Sequence, residues 1–369
     1  MNDIKVMTVF GTRPEAIKVA PLIKELEKRE YIKSIVCVTA QHREMLDQVI
    51  ETFDINVDYD LDIMKKGQSL NDITCKVLNE LPIIIDKEKP DVILVHGDTT
   101  TTLATSLTAF YSKVLVGHIE AGLRTYDKYS PFPEELNRQL TGIIADIHFA
   151  PTNLAKQNLI SEGKFENNIF VTGNTAIDAL KMTIREDYTH PIIDKLGDDR
   201  MILLTSHRRE NLGEPMRNIF IAVKRIVDEF EDVQVVYPIH LNPEIRDISS
   251  EVFGKNPKKI HIIEPLEVVD FHNFLNKAYM IMTDSGGIQE EAPSLGKPVL
   301  VLRKKTERIE GIEAKTLKLI GTNEENIYNS VKKLLTNRND YIQMSKASNP
   351  YGDGNASKYI VDIIVKKFS

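Results

Sequence analysis

Apolar residues in this chain gather in short, nearly continuous runs, separated by longer stretches with helical apolar spacing. The first series is IKVMTVF (4–10), SIVCVTA (34–40), DVILVHG (91–97), KVLVGHIE (113–120), DIHFAP (146–151) and NIFVTG (168–173). A half-solvated sheet would alternate apolar and polar positions, whereas unbroken runs mark parallel strands covered on both faces. A second series restarts with RMILLTSH (200–207), DVQVVYPIH (232–240), KIHIIEP (259–265), AYMIMTDS (278–285) and KPVLVLR (297–303). Two such series in succession predict an α/β chain of two doubly wound, Rossmann-like domains. The polar stretch REDYTHPIIDKLGDDR (185–200), with Pro191 and Gly197, marks the joint, which gives domains of 1–185 and 186–354. The tail NPYGDGNASKYIVDIIVKKF (349–368) opens with turn residues and then carries Ile360, Ile363, Ile364 and Phe368. Residues 355–369 therefore read as a helix that returns to complete the N-terminal domain.

Open parallel sheets bind ligands outside the carboxyl ends of their strands, so the polar residues after each run are the candidates for chemistry. They are Arg13, Gln41 with His42, Asp98, Glu120, His207 with Arg208 and Arg209, His240, and Asp284 with Ser285. FGTRPEAIK (10–18) has a strand–turn–helix shape but only Gly11 where a dinucleotide fingerprint has three glycines, and Lys18 is not part of a GK[ST]. Pro14 suits a first helical turn, which puts Arg13 at a helix N-terminus suited to a phosphate oxygen; the alternative is an ion pair with Glu15. In TDSGGIQEEAPSLG (283–296) the backbone at Ser285, Gly286 and Gly287 can approach a ligand closely and Glu291 can reach ribose hydroxyls. An ordinary helix capped by Asp284 or Ser285 fits the same letters.

Three candidate acids gather near one strand-end region of the first series. HGDTTTT (96–102) puts Asp98 at a strand end, where it suits catalysis or a cap, and HIEAGLRT and SPFPEELNRQ add Glu120 and Glu134 or Glu135. A carboxylate buried in a closing cleft has its pKa raised and exchanges protons near neutrality. TSHRREN (205–211) brings one histidine and two arginines to the second half, equally suited to an anion or to a salt-bridged loop.

Composition narrows the partners. With 369 residues, 42% of them hydrophobic, and a net charge of −7, the chain can bury a full core and gives a nucleic acid no electrostatic support. Cys37 and Cys75 make neither a metal site nor a disulfide framework and read as two inert buried thiols of a reducing cytoplasm. No apolar run approaches ~18 residues and MNDIKVMTVF lacks a leader pattern, so a cytoplasmic protein with no membrane partner is expected.

Taken together, GTRPEAIKVAPLI, HGDTTTT, HIEAGLRT, SPFPEELNRQ, TSHRREN, HLNP, TDSGGIQEEAPSLGKPVLVLR and NPYGDG closely resemble, in order, the blocks of the non-hydrolysing UDP-N-acetylglucosamine 2-epimerases. The resemblance implies two domains of the glycosyltransferase-B type with the active site in the cleft between them, a homodimer, and no nicotinamide cofactor or metal. It implies interconversion of UDP-GlcNAc and UDP-ManNAc, for surface polysaccharide, by elimination of UDP to 2-acetamidoglucal and re-addition. On that resemblance Asp98, Glu120 and Glu134 match the catalytic acids. His207, counted with them, matches the diphosphate clamp together with Arg13 and the helix start at Ser285, Gly286 and Gly287. Glu291 matches the ribose contact, Phe271 the wall of the uracil pocket, and Lys18 a residue that steadies an acid.

Members activated by their own substrate use a second pocket. Gln41, Glu134, Arg208 and His240 are compatible with it, but Glu44 and Gly67 stand where a glutamine and an arginine are usual. Ile309 and Lys315 replace a usual proline and glycine. A retaining glycosyltransferase of the same fold, a hydrolysing enzyme that releases ManNAc and UDP, and a nucleotide-sugar sensor are the competing readings.

Overall fold

The structure is a computed structural model that describes residues 3–41, 43–65, 67–255 and 257–368, without the side chain of Glu44. His42 therefore lies outside the described residues. Chain contacts divide the molecule into two units, one running to Met182 and resuming at Tyr351, the other Thr183–Pro350. The polar stretch 185–200 falls inside the second unit, where Pro191–Leu196 is a short helix.

The first unit carries strands β1 (Ile4–Phe10), β2 (Ile32–Val38), β3 (Tyr59–Asp60), β4 (Val92–His96), β5 (Leu115–Ile119), β6 (Ile147–Ala150) and β7 (Ile169–Val171). They form one parallel sheet in the order β3-β2-β1-β4-β5-β6-β7. The second unit has β8 (Arg200–Thr205), β9 (Val233–Pro238), β10 (Ile260–Ile263), β11 (Met280–Thr283), β12 (Val299–Val301) and β13 (Leu317–Leu319). These are parallel as well, in the order β10-β9-β8-β11-β12-β13. Both are doubly wound, Rossmann-like sheets whose strand order reverses beside the first strand, between β1 and β4 and between β8 and β11. Such a reversal leaves a crevice at the carboxyl ends that loops can line without crossing.

The apolar runs become buried strands because helices cover both faces. Met7, Val9, Ile93 and Val95 lie on one side of the first sheet with Val77 and Leu81. Val6, Leu94 and Phe149 lie on the other with Leu22 and Leu26. The last helix, Ala356–Phe368, joins that second layer through Ile360, Val361 and Ile364. In the second unit Phe220, Tyr237 and Met282 centre a comparable core. β3 and β13 have no announcing apolar run: each is a short edge strand that needs cover from one neighbour only.

Of the two cysteines Cys37 is buried, and burial pushes its thiol up to about 12. Cys75 corrects the expectation of two buried thiols: it is exposed, on the helix Leu70–Glu88 whose inner face is Ile73, Val77, Leu81, Ile84 and Ile85.

Candidate active site

The turn after β1 folds around its own glutamate. Thr12 caps the helix Arg13–Glu27, with Pro14 in its first turn. Glu15 reaches back so that Oε2 accepts from the N–H of Gly11 (3.1 Å), the N–H of Thr12 (2.9 Å) and Thr12 Oγ1 (2.8 Å). Its Oε1 accepts from Thr99 Oγ1 at 2.7 Å and Thr102 Oγ1 at 3.2 Å, at the start of the helix Thr100–Tyr111. Burial raises the carboxyl's pKa despite these donors. Glu15 is therefore no partner of Arg13 but a knot between the β1 and β4 loops, and TRPE is a capping-box signature that gives it away in sequence. Gly11 is required by close approach, since a side chain there would collide with Thr39 Oγ1. Arg13 is the first helical residue and half-buried, and the helix continues through Pro21.

Past this knot the acids meet cations. Glu120 follows β5 with φ 60°, a left-handed backbone that a non-glycine residue adopts only when its surroundings impose it. Its carboxylate is 8% exposed and ion-pairs with Lys18. The buried guanidinium of Arg138 lies 3.3 Å from Glu120 Oε1, donates to the Glu120 carbonyl oxygen, and ion-pairs with Asp98. Asn174 Nδ2 donates to Glu120 Oε2 at 3.2 Å, and Asn137 Nδ2 donates to the Asp98 carbonyl at 2.9 Å. Burial pushes the Glu120 carboxyl up, but the pull of Lys18 and Arg138 outweighs it and holds the pKa well below the usual carboxylate range. His96, at the end of β4, sits 4.0 Å from Glu120 Oε2 and is driven down to about 4 by burial, so it is neutral at physiological pH.

The two acids of PEELNRQ separate by burial. Glu135 is 3% exposed and holds the preceding loop, accepting from the N–H groups of Thr125 (2.9 Å) and Tyr126 (3.0 Å). Glu134, the first residue of the helix Glu134–Ile144, is half-buried and makes no hydrogen bond or ion pair among the described residues. Arg138 stands one turn further along that helix. Arg138, His96 and Asn174 are the residues the sequence reasoning missed. Only Arg138 left a trace, in falling one turn from Glu134.

In the second unit Asp284, directly after β11, is fully buried. Its Oδ2 accepts from Ser206 Oγ (3.0 Å), the N–H of His207 (2.9 Å), the N–H of Arg208 (2.9 Å) and Asn211 Nδ2 (2.9 Å). Arg208 Nε donates to the Asp284 carbonyl at 2.9 Å. Asp284 is thus not a helix cap, and neither is Ser285, whose N–H donates to Thr283 Oγ1 at 2.9 Å. The helix expected at Ser285 begins later and is a single turn, Ile288–Glu291, because Pro293 follows it. Glu291 ends that turn, with Oε1 over Gly287. The Arg308 guanidinium lies against Gly286, 3.3 Å from where a Cβ would stand, and pairs with Glu290 at 2.8 Å. Phe271 is half-buried on the helix Val268–Lys277.

The second-pocket candidates fall into both units. Gln41 Oε1 accepts from Thr101 Oγ1 at 3.2 Å in the first. In the second, the His240 ring stacks on His207 with centroids 5.6 Å apart. Gly67 has φ 75°, a left-handed turn that suits glycine where relatives are expected to carry arginine. Among the described residues no cluster of His, Cys, Asp and Glu is placed to hold a metal ion, and no helix is long and apolar enough to cross a membrane.

A family model described as UDP-N-acetylglucosamine 2-epimerase matches residues 24–365. A UDP-N-acetylglucosamine 2-epimerase of Bacillus subtilis (strain 168) is 64% identical over 362 residues, 98% of this chain and 95% of that protein. The crystal structure of a putative UDP-N-acetylglucosamine 2-epimerase from Listeria monocytogenes superposes with a TM-score of 0.95 at 58% identity, covering 99% of this chain and 97% of that one. The UDP-GlcNAc 2-epimerase of Neisseria meningitidis, crystallised bound to UDP-GlcNAc, gives a TM-score of 0.87 at 49% identity over 98% of this chain and all of that one. A match this long, on a chain with two doubly wound sheets and strand-end acids, places this protein in the UDP-N-acetylglucosamine 2-epimerase family.

Proposed function

We propose that the protein is a non-hydrolysing UDP-N-acetylglucosamine 2-epimerase. The observation that carries this reading is the pairing of Asp98 and Glu120 through Arg138, with Lys18 on Glu120, at the carboxyl ends of β4 and β5. The hydrogen at C2 of the sugar is not beside a carbonyl, so its removal must be coupled to loss of a good leaving group. A carboxylate takes the C2 proton, the C2–H electron pair becomes the C1–C2 double bond, and the C1–O pair leaves with UDP. Return of a proton to the other face of C2, with re-attack of the diphosphate oxygen at C1, restores the nucleotide sugar with C2 inverted. Nothing is oxidised or reduced in sum.

Each half takes one part of this chemistry. Glu120, held ionised by Lys18 and Arg138, is a fixed negative wall rather than a proton shuttle. Asp98 and the unengaged Glu134 carry the proton. Arg13, His207 and the Ser285–Gly286–Gly287 backbone take the charge that grows on the departing diphosphate. Glu291 holds the ribose and Phe271 the uracil.

The protein acts as a homodimer in this reading. Ile83, Phe110, Tyr111 and Ile143, each more than 60% exposed, give the outer faces of three successive helices an apolar character suited to a second copy. Light scattering that shows a monomer at micromolar concentration removes the dimer alone.

Proton NMR of the protein with UDP-GlcNAc in deuterated water tests the function. UDP-ManNAc with deuterium at C2 is the expected product. Accumulation of free ManNAc and UDP makes the enzyme a hydrolase, and an unchanged spectrum overturns the epimerase reading.

A further inference from the structure

The Asp284 carboxylate is half used. Oδ2 gathers four donors, yet Oδ1, equally buried, has no hydrogen-bond partner. A buried carboxylate oxygen left unmet is costly, and natural structures keep such groups mainly where they serve a function. The polar atom facing it is His207 Nδ1, 3.7 Å away. The same carboxylate pins the backbone N–H groups of His207 and Arg208, which keeps the ring within reach of Oδ1.

We propose that Asp284 is the positioning residue behind His207: its Oδ1 receives the ring Nδ1–H and leaves Nε2 as the nitrogen offered to a phosphate oxygen. The flanking ring does not compete. His240 meets His207 face to face, and its own Nδ1 accepts the N–H of Asn242 at 3.1 Å, so its proton is on Nε2. The stacked pair therefore carries opposite tautomers. Partial burial and the neighbouring Arg208 and His240 lower the basicity of His207 while Asp284 raises it, so the ring rests neutral and gains its second proton when an anion arrives. The imidazolium then donates from both nitrogens, to Asp284 and to the diphosphate. As the C1–O bond breaks, Nε2 passes its proton to the phosphate oxygen that keeps the electron pair, and recovers it on re-addition. A carboxylate behind a working histidine fixes its tautomer and supports its charged form.

This inference rests on the assignment of His207 to the diphosphate, and the test separates the two. Nitrogen-15 correlation spectra of the histidine-labelled wild-type protein, assigned with His207→Gln, report the tautomer with no substrate present. Nδ1–H is expected for His207 and Nε2–H for His240. A free imidazole in water keeps its proton chiefly on Nε2, so finding that form at His207 overturns the proposal. Asp284→Asn should then move His207 to Nε2–H and lower kcat about 10- to 100-fold with KM little changed, the size of loss seen when carboxylates behind ligand histidines are removed. In a His207→Gln background the same change should cost nothing further. Two losses that multiply would make Asp284 merely structural. If Asp284→Asn does not fold, the wild-type tautomer decides alone. Should UDP-GlcNAc not be turned over at all, the reading of function fails while the Asp284–His207 pairing still stands or falls on the spectrum.

Discussion

The two crevices of this molecule are built on one plan and furnished with different side chains. In each, a buried carboxylate at the point where strand order reverses ties together the loops of two neighbouring strands: Glu15 joins those after β1 and β4, Asp284 those after β8 and β11. In the first unit that knot is additional to Asp98, Glu120 and Glu134, which Lys18 and Arg138 partly neutralise. In the second the knot is itself the acid at the centre, with Arg208 and His207 beside it and His240 stacked on His207. The shared scaffold explains how strand-end loops become rigid enough to hold a ligand. In the proposed mechanism, the side chains hung on it separate proton transfer from anion holding.

The sharpest way to break this division is to neutralise the acids. Asp98→Asn or Glu134→Gln should lower turnover about 10²- to 10⁴-fold, the usual contribution of a positioned acid or base, with UDP affinity by calorimetry unchanged. A parallel loss of UDP affinity would show that the first unit also carries the nucleotide. Arg138→Met leaves Asp98 and Glu120 facing each other without their shared cation. Denaturant unfolding should register a loss of about 3–5 kcal/mol, with part recovered in Arg138→Lys.

Acid should distinguish the units next. His96 and His148 in the first and His272 in the second are held near 4 by burial, and burial also holds His118 in the first well below the usual imidazole value. Their unfolded value is about 6.5, so the unfolded chain binds protons first as pH falls. Full stability is present above about 6.5 and is lost progressively down to 4, at roughly 3 kcal/mol per imidazole held near 4. With more of these rings, the first unit should open first in hydrogen exchange followed by mass spectrometry. Simultaneous opening at every pH would erase that contrast.

Smaller effects sharpen the second unit. Glu291→Ala should weaken UDP binding by about 1.5 kcal/mol, the worth of a hydrogen bond to a charged group, and leave the fold intact. An unchanged affinity removes Glu291 from the ribose. Lys315 has φ 61°, a left-handed conformation that costs a lysine about 1 kcal/mol and a glycine little. Lys315→Gly should therefore raise the melting temperature slightly, and a fall would show that the lysine side chain holds that turn.

Much of this was legible in the order of residues. Unbroken apolar runs gave the longer strands, because a strand covered on both faces has no polar position to alternate with. Pro14 marked the start of the first helix, and the acids of HGDTTTT, HIEAGLRT and SPFPEELNRQ lie where parallel strands end. β3 and β13 escaped notice, since a short edge strand needs no apolar run. Glu134 and Glu135 are adjacent and identical in type. Only the helix that begins there turns one toward the Thr125 and Tyr126 amides and leaves the other unengaged.

The sequence by itself determined the alternation of strands and helices and which residue types stand at the strand ends, because both are local properties of pattern and chemistry. Tertiary structure decided which carboxylates are knots and which are paired with cations or left unengaged, because burial and charge partners come from distant parts of the chain. Lys18 meets Glu120 from 102 residues away and Arg138 meets Asp98 from 40, while Asp284 reaches back 77 residues to the His207 amide. A carboxylate's ionisation is set by how much water it has lost and which cations replaced that water, and only the folded chain fixes either one.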